Sequence, residues 1–348
     1  MQILYVSWLP PWHVFICRFQ RHRRVKPVKG KTPAAAYLRP ILDTYMGSAV
    51  ALVGCTSRGI ERYSCEFDVL VVSNEKHSPA TLKMGDVYAD VAFATEKEFL
   101  SPADPERSLA IAAAKPVRDT ALVLSTGSAA SAATYSASAK VACRTRLTSA
   151  LKTTVRAEES LTKGAAIDAD FWLLAASYEL AYALLLSREA IPSPSHLLHQ
   201  LRTETKWAKG FEGVSIGAGL EAATRAACGT RLDGLAVLHD LIREGSDSGA
   251  DSEWSTVRTE ILGAKARELV TRAELAECYS FLGQELVDDL LAVMRAHPKQ
   301  SVGTLAEGGN RLLGERLMKQ LGLARGEKSL RAGLDVVRRQ VTLLMKKT

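Results

Sequence analysis

Two short stretches carry residue types that could do chemistry together. Gly54-Cys-Thr-Ser-Arg-Gly59 offers two glycines that let the backbone approach a ligand closely, with hydroxyls on Thr56 and Ser57 between them. Arg58 adds a cation that could face a phosphate or pack against a sheet. Ser64-Cys65-Glu66-Phe67-Asp68 follows and runs into the apolar Val69-Leu-Val-Val. On a strand, Glu66 and Asp68 share one face while Phe67 and Val69 turn to the other. Two carboxylates so close repel one another unless a cation lies between them. Mg²⁺ favours one or two carboxylates plus substrate phosphates, and it can neutralise charge on a transferring phosphate. Asp90, flanked by apolar residues in Val87-Tyr-Ala-Asp-Val-Ala-Phe-Ala, is the expected third carboxylate, as metal ligand or general base. Asp86 is the alternative.

These groups need elements to hold them. Thr32–Tyr45 reads as a helix despite Pro40, with Gly47 as its stop. Ala49–Val53, Phe67–Val72 and Val87–Ala94 read as strands, with a loop over Gly54–Gly59. Three strands in so short a span imply a small mixed sheet covered by helices. Beyond Ser101 the pattern turns helical. Residues 106–160 read as helix with a low-complexity Ser/Ala/Thr tract at Ser125–Ser138, and Asp168–Ser187 as a largely buried helix with Asp168 or Asp170 near its start. Leu220–Arg243, then Trp254–Ala296 as a helix pair or a helix broken near Gly283, and Leu330–Met345 follow; Gly245–Ser252 reads as a linker and Ser301–Asn310 as a loop. The expected fold class is therefore α+β, a small mixed-sheet domain followed by a larger all-α domain. The expected limits are 1–31 for a basic extension, 32–105 for the α/β domain, 106–300 for the helical domain and 301–348 for a C-terminal loop and helix.

Helix, strand, G-x₄-G, E-x-D strand and Asp strand, in that order over residues 33–100, resemble the minimal nucleotidyltransferase domain of the DNA polymerase-beta-like superfamily. The family's motif is a strand, Gly-Ser, three residues, Gly, then Ser-Asp-x-Asp on the next strand. Gly54, Gly59, Glu66 and Asp68 fall at matching positions, and Cys55, Cys65 and Glu66 stand where the family has Ser, Ser and Asp. The resemblance implies transfer of a nucleoside monophosphate from an NTP, with ATP expected, to an acceptor hydroxyl. Glu66, Asp68 and Asp90 would be the catalytic residues and would hold Mg²⁺ or Mn²⁺. Gly54, Cys55, Thr56, Ser57, Arg58, Gly59 and Ser64 would bind the nucleotide. The helical part resembles the all-α domains that accompany such enzymes and shape the acceptor site. The three departures motivate an alternative: a catalytically weakened nucleotide-binding or toxin–antitoxin-like partner module that keeps the fold. Helical domains of the higher eukaryote and prokaryote nucleotide-binding group with RNase activity carry Arg, four to six residues, then His. His196, His199, His239 and His297 lack an Arg at that spacing, so RNase activity is not expected.

Composition narrows the partners. The net charge is +7, yet seven basic residues and no acidic one lie between Met1 and Lys31, which leaves 38 basic against 38 acidic residues in the remainder. A neutral body argues against a long nucleic-acid acceptor, because tracking phosphates takes clustered cations. Six scattered cysteines without a CxxC fit reduced thiols and a cytoplasmic location. No segment is expected to reach the ~18–20 apolar residues of a membrane span. The Ala- and Leu-rich helices could also support a homo-oligomer.

Overall fold

The computed structural model describes residues 34–59, 65–75, 77–84, 87–204, 211–245, 256–297, 301–303 and 314–348. The expected basic extension, Ser64, Asp86, nearly all of the 245–252 linker and most of the 301–310 loop lie outside the described residues. The fold is α+β, a five-stranded mixed sheet followed by helices.

Helix α1 (Ala34–Thr44) contains Pro40 and leads into strand β1 (Ala49–Leu52). Helix α2 (Gly54–Arg58) takes the place of the expected loop. Strands β2 (Phe67–Val72), β3 (Ala80–Met84) and β4 (Val87–Ala94) follow, then helices α3 (Glu96–Leu100) and α4 (Pro105–Ala112) and strand β5 (Lys115–Arg118). The strand order is β3-β4-β2-β1-β5. Strands β2 and β4 are parallel, and the other neighbours are antiparallel. β5 extends the sheet beyond residue 105, inside a stretch expected to be helical throughout.

The alternation of side chains gives each face its own cover. Val69, Val71, Val91 and Phe93 pack with Leu38 and Ile41 of α1 on one face. Leu70, Val72 and Ala94 pack with Phe99, Ile111 and Leu124 on the other. Asp68 is two residues before Leu70 and Asp90 four before Ala94, so both carboxylates belong to this second face.

Helices α5 (Val123–Ala133), α6 (Tyr135–Thr162) and α7 (Ala166–Leu186) lead into the helical part. α8 (Leu197–Glu204), α9 (Phe211–Gly217), α10 (Arg225–Gly245), α11 (Thr256–Thr271), α12 (Leu275–Ala296), α13 (Glu315–Gln320) and α14 (Glu327–Met345) complete it. α7 is the centre of the core, with Phe171, Leu173, Leu180 and Leu185 fully buried. It corrects one expectation: by length and composition α7 is apolar enough to cross a membrane. Yet 83% of its apolar window is buried inside the fold, as a core helix requires. Its acidic residues tie down the C-terminal segments. Asp168 accepts hydrogen bonds from Ser301 and the Gly303 N–H, and Asp170 accepts from the Arg325 guanidinium and backbone.

The 256–296 region is a helix pair, and its break falls at 272–274, not near Gly283. Gly283 lies inside α12 for packing: a Cβ there would strike the Tyr178 hydroxyl and come within 2.8 Å of the Arg231 guanidinium.

Candidate functional site

The G-x₄-G segment forms a single helical turn bounded by two left-handed glycines, Gly54 at φ +68° and Gly59 at φ +70°. The Gly54 carbonyl collects hydrogen bonds from Ser57 Oγ and Arg58 Nε, both at 3.0 Å. Arg58 also donates to the Ile191 carbonyl, which ties the turn to the segment after α7. The Ser57 hydroxyl and the Arg58 guanidinium therefore brace the turn. Thr56 is half-buried beside Cys55.

Gly54 has a second reason to be glycine. A Cβ there would overlap the Asp68 carboxylate, which lies directly against the turn. Gly54→Ala will therefore cost at least the ~1–2 kcal/mol of a left-handed backbone, together with displacement of Asp68. Chemical denaturation measures this, and an unchanged midpoint would contradict the geometry.

Asp68 and Asp90 are register partners on the parallel strands β2 and β4, so their side chains leave adjacent backbones on the same face. Asp68 is 1% exposed. Among the described residues neither of its carboxylate oxygens has a hydrogen-bond partner. Burial, followed by the nearby Cys55, Glu66 and Asp90, pushes its carboxyl well above the usual range, with Lys265 opposing the shift. Asp90 is half-buried and accepts a hydrogen bond from Thr81 of β3. A carboxylate held in this state fits a cation, and a pair of them in one cleft fits a divalent one.

Both acids line one cleft, together with Gly54, Arg58, Arg107 and Ile191. Arg107, on α4, has a side chain only 11% exposed and faces Glu98 at 3.9 Å. Sequence reading passed over it. Ile191 and Pro192 bring the edge of the helical part to the same cleft.

Glu66 takes a different position. It precedes β2 and is buried, and Nζ of Lys265 on α11 lies 3.3 Å from its Oε1. It does not line the cleft that holds the other two acids. Lys265 is thus a built-in cation at the edge of the acidic group, and sequence reading missed it. A signal existed: Lys265 follows Ile261 by four and Leu262 by three, on the buried stripe of α11, where a lysine needs a partner.

Cys55, expected to bind nucleotide, and Cys65, both standing where the family has serine, are buried against each other, with their Sγ atoms 2.9 Å apart. Gly59 ends the described part of the turn. The expected contribution of Ser64 lies outside the described residues.

No family model matches the chain, and no curated protein matches it. Among solved structures it is similar to a nucleotidyltransferase-like protein from Exiguobacterium sibiricum 255-15. Identity is 11%, covering 83% of this chain and 89% of that one, with a TM-score of 0.32. A likeness that slight is no ground for assigning an activity, which rests instead on the geometry of the cleft.

Proposed function

We propose that the protein is a divalent-metal-dependent nucleotidyltransferase acting from the Asp68–Asp90 cleft. One observation carries the reading: two carboxylates are register partners in a single cleft, and one is buried against a left-handed glycine with no hydrogen bond to either oxygen among the described residues. Asp68 and Asp90 would hold Mg²⁺ or Mn²⁺. The metal would supply neutralisation of charge on the phosphate being transferred. The glycine at 54 keeps the backbone low beside the phosphates, and Arg58 and Arg107 place positive charge along the same cleft. Asp90, the more accessible acid, would accept the proton of the attacking hydroxyl. Glu66 serves the site through Lys265, by adding a fixed cation beside Asp68. The acceptor would enter past Ile191, where the helical part meets the sheet.

The test is pyrophosphate release and label transfer from each of the four NTPs, with Mg²⁺ or Mn²⁺. The parent chain should release pyrophosphate with at least one NTP, and Asp90→Asn should lower the rate by about 10²–10⁴-fold. Equal rates for the two proteins would refute the assignment.

A second reading has its own observation. Lys265 already places a positive charge against Glu66, and Cys55 and Cys65 replace the family's serines, which fits a module that binds nucleotide without turning it over. It is favoured if Mg²⁺·NTP binds tightly while no NTP yields pyrophosphate.

A further inference from the structure

The two cysteines that depart from the expected motif are not independent. Cys55 lies in α2 and Cys65 just ahead of β2, yet they face each other, and the His196 ring closes the group from the helical part with Nε2 at 3.4 Å from Cys65 Sγ. The three ligand atoms all lie within 4.8 Å of one another, and the residues are 1%, 4% and 5% exposed. His196 is held by a short helical turn, Pro194–His196, whose prolyl backbone fixes its approach.

We propose that Cys55, Cys65 and His196 bind a soft-to-borderline divalent ion of the Zn²⁺ type. The donor chemistry selects it: two sulfurs and an imidazole suit Zn²⁺ and disfavour Mg²⁺, which takes oxygen. Zn–S of about 2.3 Å and Zn–N of about 2.0–2.1 Å set tetrahedral edges of roughly 3.7 Å between sulfurs and roughly 3.5 Å between sulfur and nitrogen. The Cys65–His196 separation already matches. The sulfur pair would open by roughly 0.8 Å, within reach of a small side-chain rotation. Binding releases the two thiol protons, because the ligands are thiolates. Three protein ligands leave a fourth position for water or an added ligand. The ion would pin the Gly54 turn to the helical part, beside the cleft but separate from the carboxylate pair.

Cobalt tests the site. The full-length chain, kept reduced and stripped with a chelator, is titrated with Co²⁺ and followed by absorption. One ion per chain should give a thiolate-to-cobalt charge-transfer band in the near ultraviolet and intense tetrahedral bands in the visible, both displaced by Zn²⁺. An ion bound only by Asp68 and Asp90 gives no charge-transfer band, so the two sites report separately. Cys65→Ser and His196→Asn should each weaken binding by at least the about 10- to 100-fold that losing an outer-shell partner costs. Cys143→Ser, a buried cysteine elsewhere, should leave it unchanged. Far-ultraviolet circular dichroism establishes that each variant is folded. The proposal is overturned by the absence of a charge-transfer band in the reduced parent, by an identical band in folded Cys65→Ser, or by recovery of Cys55 and Cys65 joined as a metal-free disulfide.

Discussion

Lys265→Met will destabilise the chain by about 3–5 kcal/mol, the usual cost of removing one partner from a buried ion pair. The side chains of Lys265 and Glu66 are 4% and 1% exposed, with Nζ 3.3 Å from Oε1. Methionine fills the space of the lysine stem, and Nζ lies 5.2 Å from the centre of the Phe281 ring, so the packing survives. The lost quantity is the charge, and the Glu66 carboxylate then stays buried without this cation. Adding Glu66→Gln to Lys265→Met should recover most of the loss, because a neutral pair does not carry the desolvation cost of ions. Denaturant unfolding of the parent, both single variants and the double variant gives the coupling directly. A loss under about 1 kcal/mol for Lys265→Met, the value of an exposed pair, would show that the pair is not buried in solution.

Asp68→Asn should do the opposite to stability and abolish function. Its carboxyl is buried, without hydrogen-bond partners among the described residues, and its proton is held well above the ordinary carboxylate range. The unfolded chain surrenders that proton near pH 4, whereas the folded chain retains it to higher pH. Between those two points the native state binds more protons than the unfolded state, so stability falls as pH rises. The cost is absent below pH ~4 and complete once pH exceeds the folded value. An amide of the same shape removes the charge. In the absence of divalent metal, Asp68→Asn should therefore be more stable than the parent at neutral pH, because the amide has no charge to bury. The gain should appear as a higher Tm, and the pH dependence of the parent should flatten in the variant. The parent should recover stability when Mg²⁺ and NTP are added, by mass action, and the variant should not. A variant less stable than the parent at neutral pH without metal would contradict this reading of Asp68. Sites that favour function over stability behave in this way.

Much of the site was legible because its rules are local. β2 and β4 span the residues their apolar patterns mark, whereas Glu66 falls one residue ahead of β2 and outside the cleft. Their parallel pairing then sets Asp68 beside Asp90. Strands β3 and β5 were illegible for a physical reason: both are edge strands. β3 is half-buried, and β5 is four residues that include Pro116. A proline is tolerated at an edge but masks the strand pattern. The Gly54–Gly59 segment has loop composition and still closes one helical turn, because Gly59 supplies the left-handed cap. The helix break at 272–274 lacks a glycine and uses Ala273 at φ +59°, so composition pointed to Gly283 instead.

The partners that decide the chemistry come from far along the chain. Lys265 is 199 residues from Glu66 and His196 is 131 from Cys65. No local pattern connects such pairs. Only the packing of α11 against β3 and the approach of the Pro194–His196 turn to Cys65 bring them together. Cys55 and Cys65 consequently read in the sequence as two separate departures from a motif, and in the fold as one buried group.

Calorimetric titration of ATP into the full-length chain, with Mg²⁺ or with a chelator, tests the Asp68–Asp90 site most directly. Binding should require the divalent ion, persist when Zn²⁺ is already present, and be lost in Asp68→Asn. Binding of equal strength in chelator and in Mg²⁺, or in the parent and Asp68→Asn, would contradict a metal site at this carboxylate pair.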